Sequence, residues 1–159
     1  MDLNQARFNM IEQQIRPWEV LDPNVLALLS TVRREDFVPL AHKALAFVDM
    51  EIPLGAGSNQ VMLAPRVQAR LLQDLAVQPT DKVLDIGSGS GFMAALLAHQ
   101  AASVLSLEVD PALAAQAQAN LQKAGVANAV VRCADGSQGA AADGPFDVCL
   151  LYTSDAADE

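Results

Sequence analysis

The chain has 159 residues and a formal net charge of −9, and 52% of its residues are hydrophobic while 4% are aromatic. This length suits a single domain, and the acidic balance argues against a nucleic-acid backbone as the main partner. No apolar run approaches the length of a membrane span, and the N-terminus lacks the basic and apolar regions of a signal peptide, so we expect a cytoplasmic protein. Cys133 and Cys149 show no metal or disulfide spacing, and Cys133 is expected to be buried and reduced.

The first half of the chain is predicted to be mostly helical, because its apolar residues recur at helical spacing. In the first segment this spacing predicts that Phe8, Ile11 and Ile15 share one packed face. Asp22 followed by Pro23 is typical of a helix N-cap and the first residue of its helix. The predicted helices cover residues 3–15, 24–32, 37–47 and 65–75, and a loop rich in Pro, Gly and Asn covers 52–60.

From Lys82 onward the pattern changes to short strands that alternate with helices. The predicted strands cover 83–86, 103–107 and 129–133, a fourth begins at Phe146, and helices cover 92–102 and 110–123. Strands separated by helices imply a parallel sheet with right-handed crossovers and a ligand crevice at the carboxyl ends of the strands. We therefore predict an α/β fold, with a Rossmann-like doubly wound parallel sheet and an N-terminal helical cap.

The link between the first strand and its helix carries a glycine at every second position. Gly87, Gly89 and Gly91 follow Asp85, and Glu108 ends the next strand. Glycines let the backbone approach a ligand closely, and a helix N-terminus adds partial positive charge. A carboxylate at the end of the second strand suits a ribose diol, so the pattern predicts a site for a nucleotide-type cofactor. For Glu108, the alternative is an ordinary strand-end charge.

The charge beside this loop distinguishes two classes of cofactor. A dinucleotide-binding loop usually has the spacing Gly-x-Gly-x-x-Gly, whereas the three glycines here are each separated by one residue. Asp85 would repel a pyrophosphate but could pair with an ammonium group. S-Adenosylmethionine carries an ammonium group, a ribose diol and no phosphate, so the electrostatics favour S-adenosylmethionine over NAD.

Six motifs, including the glycine loop, follow one another along the chain. They are Arg-Glu-Asp-Phe-Val-Pro at 34–39, Ala-Phe-Val-Asp at 46–49, Ile-Pro-Leu-Gly at 52–55, the strand and glycine loop at 83–97, Asp-Gly at 135–136 and Pro-Phe-Asp at 145–147. In this order they resemble the protein-L-isoaspartate O-methyltransferases, which are class I S-adenosylmethionine-dependent methyltransferases. The resemblance covers residues 6–147 and lacks the C-terminal strands of that family. For the charged run 33–36, a solvated turn is the alternative.

The resemblance implies roles for the residues of the cofactor site. Asp85 would lie near the methionine ammonium group, and Glu108 would accept hydrogen bonds from both ribose hydroxyls. Asp135 would accept a hydrogen bond from the adenine amino group and Gly136 would permit the turn, although a plain turn is the alternative. The backbone of the loop would contact the amino-acid part of the cofactor through Gly87, Ser88, Gly89 and Gly91.

The segment that would meet the methyl acceptor departs from the family pattern. The family has Gln-Thr-Ile-Ser before a helix start that contains proline, whereas Val61 and Leu63 replace the two hydroxyl residues here. Gln60 is retained, and a shifted loop could use Ser58 and Asn59 as substitutes. The candidate acceptor residues are therefore Ser58, Asn59 and Gln60.

The resemblance implies an enzyme of protein repair that methylates a carboxylate of isoaspartyl residues in damaged proteins or peptides. Such a carboxylate is already ionised at neutral pH, so the reaction needs positioning more than a strong base. The alternatives are a paralogue that methylates a small-molecule carboxylate and a cofactor-binding fragment without activity. The sequence predicts no metal, no nucleic-acid partner and no membrane association, and it does not predict the oligomeric state.

We predict one methyltransferase domain over residues 1–148. Within it, residues 1–80 would form the helical cap and acceptor loop, and 81–148 a partial sheet. Open sheets of this type normally continue beyond a fourth strand. Residues 149–159 resemble the translation of an adapter used to prepare sequencing libraries, and we interpret them as a non-native tail; a natural short tail is the alternative.

Overall fold

A four-stranded parallel sheet forms the centre of the computed structural model, which describes residues 2–55, 59–136 and 140–151. The α-helices are α1 (Leu3–Met10), α2 (Pro23–Thr31), α3 (Pro65–Leu75), α4 (Phe92–Gln100) and α5 (Pro111–Lys123). The strands are β1 (Ile52–Pro53), β2 (Val61–Met62), β3 (Lys82–Ile86), β4 (Ser103–Glu108), β5 (Ala129–Cys133) and β6 (Val148–Leu151). The large sheet has the order β5-β4-β3-β6, and all its neighbouring strands run parallel, which confirms the predicted fold class.

The strand order reverses at β3, which pairs with β4 on one side and with β6 on the other. In open α/β sheets a reversal of this kind leaves a crevice beyond the carboxyl ends of the strands. Helix α4 follows β3 in the chain and is apolar on all sides from Phe92 to Ala98. It therefore packs within the core, and all seven of these residues are buried. The end of β3 is therefore fixed between a buried strand and a buried helix.

The N-terminal helix differs from its prediction in one respect. After α1 the chain continues as a π-helix over Ile11–Ile15 and a 3₁₀ turn over Arg16–Trp18. The wider π-helical turn changes which side chains share a face, so Met10 is buried and Phe8 is 57% exposed. The packing predicted for Phe8 is therefore wrong. The indole ring of Trp18 stacks under the Arg66 guanidinium, 4.3 Å from the ring centroid, and joins the turn to α3.

The charged run at 33–36 is only partly a solvated turn. Arg33 and Asp36 face solvent, but Arg34 and Glu35 are 2% and 5% exposed. Glu35 pairs with the buried Arg7, so both charges have a partner of opposite sign. The burial predicted for Cys133 is also wrong, since Cys133 lies exposed at the end of the edge strand β5.

Strand β6 extends into the segment that the sequence assigns to a tail. Cys149, Leu150 and Leu151 pair with β3, and Leu150 is 6% exposed. Residues 152–159 lie outside the described residues, and the interpretation of 149–159 as a non-native tail stays a prediction. Among the described residues, the structure contains no helix of the length and apolar character needed to cross a bilayer.

Candidate cofactor and acceptor site

Three predicted acidic residues lie at the carboxyl ends of adjacent strands. Asp85 is the penultimate residue of β3, Glu108 is the last residue of β4, and Asp135 follows β5 by two residues. Because the strands are parallel and adjacent, the fold brings these carboxylates to one edge of the sheet. The predicted clustering of Asp85, Glu108 and Asp135 follows from the sheet register alone.

Asp85 is a buried carboxyl group with one unsatisfied oxygen. Its side chain is completely shielded from solvent, and Oδ2 accepts a hydrogen bond of 2.8 Å from the Ser106 hydroxyl on β4. The other oxygen, Oδ1, has no hydrogen-bond partner among the described residues. Burial raises the pKa of Asp85 from 3.8 to about 7, and the nearby Glu108 charge adds to this effect while the Ser106 bond opposes it. A cation above the loop would favour the ionised form.

Ser106 was not predicted from the sequence, yet it connects Asp85 to the glycine loop. Its hydroxyl also hydrogen-bonds the Ser88 hydroxyl, and both serines are buried. The backbone amides of Gly87 and Ser88 donate to the Leu107 carbonyl at 2.8 and 3.2 Å. The loop is thus attached to β4 by side chains and by backbone. The sequence signal for Ser106 is a polar residue inside an otherwise apolar buried strand.

Helix α5 supports the other end of the loop. The φ angle of Gly91 is +90°, and a Cβ built there would lie 3.1 Å from the Ala117 carbonyl oxygen, so both conformation and space require glycine. Asn120, also on α5, donates to the Ser90 carbonyl at 2.9 Å. Sequence reasoning missed Asn120, although an amide on the buried face of Leu113, Ala117 and Leu121 was a detectable signal.

Glu108 accepts hydrogen bonds at both carboxylate oxygens and is 1% exposed. The Gly89 amide donates to Oε1 at 3.0 Å, and the Asp110 amide donates to Oε2 at 3.1 Å. The Gln60 side-chain amide donates to the same Oε2 at 2.9 Å. Glu108 therefore connects the glycine loop, the start of α5 and the predicted acceptor segment.

After the end of β5, Asp135 is exposed and Gly136 is half-buried. A Cβ built on Gly136 would lie 2.2 Å from Ile86 Cγ2, so only glycine allows this turn to pack on the end of β3. The close packing supports a structural need for Gly136. The adenine contact of Asp135 stays a prediction.

The predicted acceptor segment contains the antiparallel strands β1 and β2, here named hairpin β1–β2. Leu54, the residue after β1, packs on the glycine loop. Strands β1 and β2 pair, and the Leu54 amide donates to the Gln60 carbonyl at 3.0 Å. A Cβ on Gly89 would lie 3.3 Å from Leu54 Cδ1, which places Leu54 against the loop. Asn59 is exposed, while Ser58 lies outside the described residues. Gln60 contacts a predicted cofactor residue, Glu108.

Arg34 holds the far end of this segment. Its guanidinium donates to the carbonyls of Ala46 at 2.7 Å and Leu63 at 3.0 Å, and to the Gln68 side chain. It also lies over the ring of Phe92, the first residue of α4, at 5.3 Å from the centroid. Burial lowers the pKa of Arg34 to about 9. Arg34 therefore joins β2, α3 and the start of α4.

The donors and acceptors in the crevice fit S-adenosylmethionine. The unsatisfied oxygen of Asp85 supplies negative charge below the loop, and the Glu108 carboxylate can accept from hydroxyl groups. The N-terminus of α4, which follows the glycine loop directly, can donate backbone amides to a carboxylate. The described residues include no cluster of His, Cys, Asp or Glu that could hold a metal ion.

Comparison with known families agrees with this geometry. The family described as protein-L-isoaspartate(D-aspartate) O-methyltransferase matches residues 5–159. The chain belongs to this family. Its members use S-adenosyl-L-methionine, so the predicted family and cofactor class are confirmed.

Two curated relatives illustrate the level of similarity. The chain is 39% identical over 150 residues to protein-L-isoaspartate O-methyltransferase 2 of Marinobacter nauticus, covering 94% of this chain and 68% of the relative. It is 39% identical over 149 residues to the protein-L-isoaspartate O-methyltransferase of Koribacter versatilis, covering 94% of this chain and 65% of the relative. The chain thus spans about two thirds of the length of these relatives.

Solved structures show the same fold at lower identity. A protein-L-isoaspartate O-methyltransferase superposes with a TM-score of 0.70 at 19% identity, over 92% of this chain and 46% of that one. A beta-aspartate methyltransferase of Plasmodium falciparum, solved in complex with S-adenosyl-L-homocysteine, superposes with a TM-score of 0.67 at 19% identity, over 94% of this chain and 72% of that one. These similarities confirm the fold class.

Proposed function

We propose that this chain binds S-adenosylmethionine in the crevice above β3 and β4 and serves the methylation of isoaspartyl carboxylates in damaged proteins. The observation that carries the proposal is the pair of buried carboxylates, Asp85 and Glu108, at the ends of adjacent strands below the glycine loop. Glu108 would accept from the ribose hydroxyls. Asp85 is fully shielded, so it would act on the ammonium group through its charge. The protein-repair role and cytoplasmic residence stay predictions.

The chemistry places few demands on ionisable groups. S-Adenosylmethionine, held at Asp85 and Glu108, would supply an electrophilic methyl group for an acceptor carboxylate oxygen. The protein must hold that oxygen in line and exclude water. Hairpin β1–β2 is suited to this positioning role because Leu54 and Gln60 lie against the glycine loop and Glu108. No strong base is required because the acceptor is already ionised.

Calorimetry with S-adenosylmethionine tests the cofactor site directly. We expect the wild-type chain to bind and Glu108→Ala to lose at least about 100-fold in affinity, because two hydrogen bonds to a charged acceptor disappear. Glu51→Ala removes an exposed carboxylate outside the crevice and serves as the matched control. Equal affinity of the wild type and Glu108→Ala, with both folded by circular dichroism, would refute the proposed site.

A second candidate function is methylation of a small-molecule carboxylate. Val61 and Leu63, which stand in place of the family's two hydroxyl residues, favour this alternative because they remove donors for a peptide acceptor. The double variant Val61→Thr and Leu63→Ser restores both hydroxyls. If the acceptor is an isoaspartyl peptide, the two restored hydroxyls should raise the methyltransferase activity toward that peptide. No rise would favour a different acceptor.

A further inference from the structure

Two serine hydroxyl groups connect the glycine loop to the Asp85 carboxyl group. Ser106 Oγ donates a hydrogen bond of 2.8 Å to Asp85 Oδ2, and the hydroxyls of Ser88 and Ser106 hydrogen-bond each other. A serine hydroxyl carries one proton, so Ser106, which donates its proton to Asp85, must accept from Ser88. Both hydrogen bonds therefore run in one direction, from the loop toward the carboxylate.

These three groups lie where water does not replace a lost hydrogen bond. Asp85 and Ser106 are 0% exposed and Ser88 is 5% exposed. A hydrogen bond to an ionised group is strong, and burial strengthens it further. Because Oδ1 accepts no hydrogen bond from the described residues, Ser106 is the donor on which the ionised form of Asp85 depends.

The other elements around Asp85 do not favour its ionised form. Glu108 ends β4, and its negative charge opposes ionisation, as does burial. Strand β6 places Leu150 beside Asp85, and the residues of α4 from 92 to 98 are apolar. Helix α5 has its one charged residue exposed at its C-terminus. Among the described residues, the Ser106 hydroxyl is thus the group that opposes burial and the Glu108 charge.

We propose that Ser106 is a positioning residue for cofactor binding, whose hydroxyl group favours the ionised form of Asp85 and joins this carboxylate to the glycine loop through Ser88. The proposal rests on the proposed function, because it requires the positive charge of S-adenosylmethionine to act on Asp85. A variant without the hydroxyl loses the hydrogen bond that opposes burial, so the pKa of Asp85 should rise above about 7. The affinity for the cofactor at neutral pH should then fall.

Calorimetry with S-adenosylmethionine between pH 6 and 8.5 tests this role in Ser106→Ala. The ammonium group of the cofactor itself titrates near pH 8, so the quantity to compare is the ratio of wild-type to variant affinity at each pH, in which that titration cancels. If the pKa of Asp85 rises by about one unit, the ratio should be about ninefold at pH 6, about fivefold at pH 7 and below about twofold at pH 8.5. A ratio that is the same at every pH would mean that Ser106 acts through packing alone, and it would overturn the proposal.

Two further variants separate the hydroxyl group from the rest of the side chain. Ser106→Thr keeps the hydroxyl, so its affinity should follow the wild-type pH profile even if the added methyl group lowers stability. Ser103→Ala removes a hydroxyl at the other end of β4 and is the matched control, with affinity equal to the wild type at every pH. Ser88→Ala leaves the bond from Ser106 to Asp85 in place, so it should lower the affinity less than Ser106→Ala does.

Carbon-13 nuclear magnetic resonance of the aspartate carboxyl groups gives a readout that needs no cofactor. The Asp85 signal is assigned by its absence in Asp85→Asn. It should titrate near pH 7 in the wild type and about one pH unit higher in Ser106→Ala. Equal titration midpoints in the two proteins would overturn the role of Ser106.

The outcomes separate this inference from the proposed function. A pH-independent ratio for Ser106→Ala, together with loss of binding in Glu108→Ala, overturns the role of Ser106 and leaves the cofactor site intact. Absence of binding by the folded wild-type chain refutes the proposed function and this inference with it. A ratio that falls with pH in Ser106→Ala, with Ser103→Ala unaltered, supports the proposal.

Discussion

The cofactor crevice and the acceptor hairpin are adjacent, but they are held in place by different kinds of interaction. In the crevice, Asp85 and Glu108 are fixed by their places on paired strands, and the glycine loop follows one of these strands directly. Hairpin β1–β2 has only two residues in each strand. It depends on Arg34, which donates a hydrogen bond to the Leu63 carbonyl from 29 positions away in the sequence. Local sequence therefore specifies the crevice, whereas distant side chains specify the hairpin.

Removal of Arg34 should produce the largest loss of stability, and the size of the loss would show how far the hairpin depends on this side chain. Arg34→Met leaves buried acceptors at Ala46, Leu63 and Gln68 without their donor. We expect a loss of about 3–5 kcal/mol in the free energy of unfolding, as for breaking a buried charged network. Urea denaturation measures the loss.

The neighbouring Arg33 provides a matched control. Its side chain is 62% exposed and lies 3.4 Å from the exposed Asp36 and 3.8 Å from Glu35, whose main partner is Arg7. Arg33→Met should change the free energy of unfolding by about 0.5 kcal/mol or less. Equal losses in the two variants would mean that the buried network does not hold the hairpin.

The effect of close packing behind the glycine loop on stability can be measured separately from the effect of the loop's backbone conformation. Gly91 and Gly125 have φ angles of +90° and +74°, but a Cβ would meet Ala117 at the first position and open space at the second. Gly125→Ala should therefore cost only the conformational strain, about 1–2 kcal/mol. Gly91→Ala should cost about 2–4 kcal/mol and also weaken cofactor binding, because the loop must move. Thermal denaturation and calorimetry test both expectations, and equal costs would contradict the packing argument.

The crevice should also show a pH dependence that originates at Asp85. Its pKa is raised from 3.8 to about 7 by burial, so the stability that it contributes is full below pH about 4 and is lost as the pH rises through about 7. Asp85→Asn should remove this dependence and raise the free energy of unfolding above pH 7 by about 1–4 kcal/mol. Urea denaturation between pH 4 and 8 is the measurement.

The same substitution should weaken the binding of S-adenosylmethionine, whose positive charges favour the ionised carboxylate. In the wild type, affinity should rise with pH through about 7 because Asp85 must lose its proton. Asp36→Asn alters an exposed carboxylate and should leave both pH profiles as in the wild type. A pH-independent affinity in the wild type would argue against an electrostatic role for Asp85.

The smallest expected effect concerns the support of the loop by α5. Asn120→Ala removes the donor to the Ser90 carbonyl and should cost about 1 kcal/mol of stability. The affinity for S-adenosylmethionine should fall a fewfold because the loop is less well fixed. Asn24→Ala, on the exposed start of α2, is the control. An equal effect of the two substitutions would mean that Asn120 does not fix the loop.

The sequence was informative where structure is set by neighbours along the chain. The N-cap residues Asp22 and Asp110, the bounds of α3 and the β5 strand follow the predictions, since they depend on local capping, proline and periodicity. The cluster of strand-end carboxylates follows because parallel strands share one carboxyl edge. The parallel sheet and the side of the sheet on which the crevice lies needed no information beyond the β/α alternation, whereas the strand order was not predicted.

The remaining features depend on contacts that a single sequence does not display. The burial of Arg34 and Glu35 results from partners at Gln68 and Arg7, whereas the local composition of this run left a solvated turn open as an alternative. The bond between Gln60 and Glu108 joins residues 48 positions apart. The π-helix over Ile11–Ile15 changed the packed face and left Phe8 exposed, which ideal helical periodicity does not anticipate.

The stacking of Trp18 on Arg66 gives the protein a built-in optical probe. Trp18 is the single tryptophan of the chain, and it is 41% exposed beside α3. Its emission therefore reports the docking of the N-terminal segment on α3. Fluorescence and far-ultraviolet circular dichroism, recorded on one sample, would show whether the helical cap detaches before the sheet unfolds.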